Sequence, residues 1–73
     1  MTPETALIEE VRKYNPDLDP AVLTRAIDYA RVMHEGQTRS SGEPYYTHPV
    51  EVAGILATMK MDVTTLVTAI LHD

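Results

Sequence analysis

Four stretches of the chain place apolar side chains three and four residues apart, the repeat of a helix with one buried face. The first opens at Thr2-Pro3-Glu4. Threonine suits the cap, proline the first helical position, and an acid the positive helix end. Its side made by Ala6, Leu7, Glu10 and Val11 is only weakly apolar, and Asn15-Pro16 ends it, because the residue before a proline is pushed out of helical geometry. The second opens on Asp19-Pro20 and carries a sustained stripe of Leu23, Ala26, Ile27, Ala30 and Met33, with Gly36 as a C-terminal cap. Residues 36–47 then hold two glycines, a proline and Ser40-Ser41, which predicts a polar loop of a length that often carries function.

A third helix is expected from His48-Pro49, with Pro49 at its first position and Val52, Ile55, Leu56 and Met59 on its face. Gly54 inside it costs roughly 1 kcal/mol against alanine, which suggests close approach by another backbone. Lys60-Met61-Asp62 makes a tight connection, and Asp62 caps a fourth helix with Val63, Leu66, Val67, Ile70 and Leu71 on its face. No charge lies between Val63 and Leu71, so this helix is expected to be covered all round. Four helices cannot easily cover one of their own, and the expectation is that more chain follows Asp73.

Composition narrows the class. The chain has 73 residues, no cysteine, and four tyrosines as its only aromatic residues. A core of Leu, Ile, Val, Met and Ala therefore predicts an all-α fold with neither disulfide nor thiolate metal site. The net charge of −5 argues against direct nucleic-acid binding. Residues 1–20 carry five acids against two bases, while Arg25, Arg31 and Arg39 balance Asp28, Glu35 and Glu43 in the middle, the least repulsive place for an anionic ligand. No apolar run reaches the roughly 20 residues of a membrane span, and the start lacks the order of a signal peptide; a cytoplasmic protein is expected.

Chemically able side chains concentrate in His34–His48 and in the terminal His72-Asp73 pair. The third and fourth helices each run roughly 15 Å and are joined by a short turn, so they should pack antiparallel. His48 and His72-Asp73 then meet at one end. Two imidazoles and a carboxylate form a nitrogen–oxygen set suited to Mn²⁺, Fe²⁺ or Zn²⁺. From spacing alone a histidine at a helix start is as readily a cap or a packed ring. Arg39 offers a donor fork and a flat face to a phosphate or a base, or is a solvated loop arginine. Ser40 and Ser41 suit an anion or an ordinary turn. Tyr45 and Tyr46 line a pocket or pack on the third helix. His34 reads as a packing or hydrogen-bonding residue rather than a further ligand.

The run HEGQTRSSGEPYYTHPVEVAGILATMKMDVTTLVTAILHD closely resembles the hydrolase domain of the RelA/SpoT family, whose bifunctional members make and degrade the alarmones ppGpp and pppGpp. The resemblance covers residues 26–73 and rests on GQTRSSGEPYYTHP followed by a helix hairpin ending in HD. It implies an HD-domain helical bundle, incomplete at about four helices, with residues 1–73 forming the N-terminal portion of the hydrolase domain. It also implies metal ligands at His48, His72 and Asp73 with Mn²⁺, or another divalent ion, as cofactor. Arg39 and Ser41 match positions in the family's pocket for the guanine nucleotide. In the implied reaction a metal-activated water attacks the 3′-pyrophosphate linkage, releasing pyrophosphate and GTP or GDP. Ser40 stands where many members carry a basic residue, which is SpoT-like. The family's downstream acidic pair and distant aspartate ligand are absent, as are synthetase and regulatory domains, so the 73 residues alone are expected to be inactive. Two alternatives stay open. One is a non-catalytic helical module that self-associates through exposed apolar helix faces, and the other is an HD phosphohydrolase acting on another nucleotide.

Overall fold

A computed structural model describes residues 2–72. Within them the chain forms four helices, α1 (Pro3–Tyr14), α2 (Pro20–Met33), α3 (Thr47–Thr58) and α4 (Val63–Leu71). The caps follow the sequence chemistry. Thr2 accepts from the amide of Thr5, and Asp19 accepts from the amide of Ala21. Each cap satisfies a first-turn N–H that has no partner inside its helix. Asn15 closes α1 and Pro16 prevents its continuation.

Packing follows chain order only in part. α1 packs mainly on α3, α3 on α4, α4 on α2, and α2 more lightly on α1. The core between them is made by Leu7 and Val11 of α1, Leu23 and Ile27 of α2, Val50 and Ala53 of α3, and Leu66 and Ile70 of α4, all almost fully buried. Burying each of the larger side chains contributes about 1.5–3 kcal/mol. Ala26, Ala30, Ala53 and Ala57 are the small buried positions of the core.

The third helix begins earlier than its proline suggests. Thr47 is its first residue and Pro49 its third. The Thr47 amide and hydroxyl both donate to the carbonyl of Pro44, and the His48 amide donates to Tyr45, so a turn feeds into the helix ahead of the proline. Gly54 does not meet another backbone: nothing lies within 4 Å of where its Cβ would stand. It borders an open apolar groove of about 390 Å³ between α1 and α3.

At the other end of α3, Lys60 takes a left-handed φ of 60°, and the amides of Lys60 and Met61 return to Ala57 and Leu56. That closes the helix and turns the chain back into α4. Nor is α4 covered all round within the described residues. Leu66 and Ile70 are buried while Thr64, Thr65 and Thr68 are exposed. Threonine hydroxyls explain why an uncharged helix side tolerates water. The Thr68 hydroxyl, for example, donates to the carbonyl of Thr64.

Candidate functional site

The reversal at residues 59–62 brings α4 back along α3. His48 lies in the first turn of α3 and His72 caps the C-terminus of α4, so both belong to the same end of the hairpin. Both are exposed. Asp73, the carboxylate expected beside them, lies outside the described residues. Among the described residues no group of three His, Asp or Glu side chains is gathered closely enough to hold a metal ion.

The two histidines are held differently. His72 Nδ1 lies 2.7 Å from the carbonyl oxygen of Ala69. A carbonyl only accepts, so Nδ1 carries the proton and Nε2 is the lone-pair nitrogen of the neutral ring. A bond of this kind fixes the tautomer of metal-binding histidines. His48 has a tilted ring contact instead. Tyr45 lies between two imidazoles, with ring centroids 4.8 Å from His34 and 6.1 Å from His48. His34 Nδ1 donates to Gln37 Oε1 at 3.1 Å. Tyr45 therefore joins the end of α2 to the start of α3.

The loop between α2 and α3 is more ordered than its composition suggests. Thr38 bridges Pro44 in antiparallel fashion. Within that bridge the amide of Arg39 donates to the carbonyl of Glu43 at 2.7 Å, and the amide of Gly42 donates to the carbonyl of Arg39 at 2.8 Å. Ser40 and Ser41 occupy the centre of this turn, and Gly42 takes a φ of 91°, which a side chain would strain. Ser41 is exposed beside Arg39.

Arg39 itself is not a solvated loop residue. Its Nη1 donates to Glu51 Oε2 of α3 at 3.0 Å and to the Thr47 hydroxyl at 3.4 Å, with Glu43 Oε2 at 3.9 Å. Glu51 stands in the second turn of α3. Its pairing with an arginine twelve residues earlier depends on the path of the loop. The bond from His72 to Ala69, by contrast, spans one helical turn, and that spacing could have signalled it.

The family model for the HD domain matches residues 26–73. Over 92% of its length the chain is 48% identical to a GTP pyrophosphokinase rsh of Brucella melitensis. Over 93% of its length it is 54% identical to the bifunctional (p)ppGpp synthase/hydrolase SpoT of Escherichia coli K12. The same identity relates it to a guanosine-3′,5′-bis(diphosphate) 3′-pyrophosphohydrolase of Escherichia coli O157:H7. The chain spans about a tenth of the length of these curated relatives.

Proposed function

This chain belongs to the HD domain family, among the RelA/SpoT-type proteins, and we propose that it contributes the entrance and three metal ligands of a (p)ppGpp 3′-pyrophosphohydrolase site. The observation that supports this most directly is the identity to a named guanosine-3′,5′-bis(diphosphate) 3′-pyrophosphohydrolase through the whole bundle, not through the HD pair alone. In this reading residues 1–73 form the N-terminal portion of the hydrolase domain and act with the remainder of a longer enzyme. The 73 residues alone do not turn over. The setting is the cytoplasm; no helix among the described residues is long and apolar enough to cross a membrane.

His48, His72 and Asp73 are the proposed ligands. The donor chemistry fits, since two imidazole nitrogens and a carboxylate oxygen suit a borderline divalent ion, and His72 already has Nδ1 committed to Ala69. We assign Mn²⁺, following the resemblance. A bound divalent cation supplies Lewis acidity toward phosphoryl oxygens and lowers the pKa of water. The chain's own residues hold that centre at the open end of the α3–α4 hairpin and present Arg39 and Ser41 to the guanine nucleotide.

The test is pyrophosphate release from guanosine 3′,5′-bis(diphosphate) by the full protein with Mn²⁺. Release that requires the ion and disappears in His72→Ala supports the reading; retained release in that variant refutes the ligand. A second reading, self-association, has its own observation. Tyr29, Val32 and Met33 lie exposed on α2, as do Ile55 on α3 and Met59 at its C-terminal cap. A monodisperse dimer of the 73 residues with no bound metal, seen by light scattering, would favour it.

A further inference from the structure

Arg39 is fixed twice, and the two attachments do different jobs. Its main chain is pinned in the 39–42 turn by bonds of 2.7 and 2.8 Å. That places Cα but leaves a long side chain whose rotamer freedom amounts to about 2 kcal/mol. The second attachment removes much of that freedom. Nη1 reaches Glu51 at 3.0 Å, across from the loop to a rigid helix, and the Thr47 hydroxyl stands 3.4 Å from the same nitrogen. Thr47 donates its own proton to Pro44, so its oxygen is oriented to accept from Arg39. Glu43, at 3.9 Å and more exposed than Glu51, is too distant for a hydrogen bond. These contacts all use one terminal nitrogen of a group with five N–H donors and two flat faces.

We infer that Glu51 is a positioning residue that holds the Arg39 guanidinium in a fixed plane for the nucleotide without touching the nucleotide itself. This rests on the nucleotide reading of Arg39 given above. The charge arrangement explains why Glu51 acts by position rather than by raising attraction. Two carboxylates beside one guanidinium leave the cluster net negative, so removing Glu51 would strengthen long-range pull on an anion. If pre-organisation dominates, its removal weakens binding all the same.

The experiment is a double-mutant cycle in the full protein, reading KM and kcat for guanosine 3′,5′-bis(diphosphate). A charge-assisted bond at a part-exposed site should be worth about tenfold in KM for Glu51→Ala and about threefold for Glu51→Gln, with kcat changed far less. Arg39→Ala should raise KM at least as much, and Arg39→Ala/Glu51→Ala should match Arg39→Ala alone. If Glu51→Ala leaves KM in place, lowers it, or multiplies with Arg39→Ala, the inference fails while the nucleotide reading stands. If Arg39→Ala itself leaves KM in place, the nucleotide reading of Arg39 fails and the inference falls with it. Helix content by circular dichroism guards against unfolding, and should Glu51→Ala not fold, Glu51→Gln decides.

Discussion

The Tyr14 hydroxyl donates to the main-chain carbonyl of Met61 at 2.6 Å, joining the last residue of α1 to the turn between α3 and α4, 47 residues away. This bond holds the far end of the hairpin, opposite His48 and His72. Tyr14→Phe should therefore cost about 1 kcal/mol, measured by urea denaturation, and leave metal binding unchanged. The phenol's pKa is raised, first by burial and then by Glu10 and Asp62. A raised folded-state value means that the stability linked to this group is intact below the ordinary tyrosine range. It is lost as pH climbs through the folded value. Above about pH 10 the wild type should lose stability more steeply than Tyr14→Phe.

Gly54→Ala should stabilise the bundle by about 0.5–1 kcal/mol. The added methyl meets nothing within 4 Å and removes the backbone entropy of a mid-helix glycine. Thermal unfolding followed by circular dichroism checks it; destabilisation would contradict an open groove beside Gly54.

Asp62 shows what a cap does when its partner is a side chain. Its Oδ1 accepts from the Thr65 hydroxyl, and that bond is the main reason its pKa is lowered. A lowered folded value makes the contribution present above the ordinary aspartate range and lost as pH falls through the folded value, below about pH 4. Thr65→Val should return the Asp62 midpoint toward the ordinary range in a carboxyl-carbon NMR titration.

His72→Ala and His48→Ala should each weaken Mn²⁺ binding to the full protein by about 100-fold or more, since disturbing even an outer partner of a ligand costs 10- to 100-fold. Competition dialysis measures the affinity. Helix content should remain, because both rings are exposed and neither belongs to the core.

Helices were legible where local chemistry decides them. Asp19-Pro20 and Thr2-Pro3 state their caps in sequence, and the Leu23–Ala30 stripe names its buried face. The start of α3 was misjudged by two residues because proline is tolerated throughout a first turn, and the Thr47–Pro44 bonds that set the true start need the folded loop. Gly54 misled for a related reason, since the sequence cannot tell a close backbone from an open groove. That His48 and His72 share one end of the α3–α4 hairpin was legible from two helices of similar length and a short turn. Glu51 was not, because nothing in a run of loop residues states where Arg39 will reach.

The four helices also differ in how far the chain must travel to pack them. Residues 59–62 separate α3 from α4, whereas residues 34–62 separate α2 from α4. Closing the longer loop costs about 2 kcal/mol more in chain entropy. The hairpin that carries both histidines is thus the low-contact-order part of the molecule, able to zip before α1 and α2 arrive. In pulse-labelled amide exchange, Ala57 and Leu66 should gain protection ahead of Leu7 and Ile27, so that the hairpin forms first, from its turn toward the two histidines, and α1 and α2 close onto it afterwards.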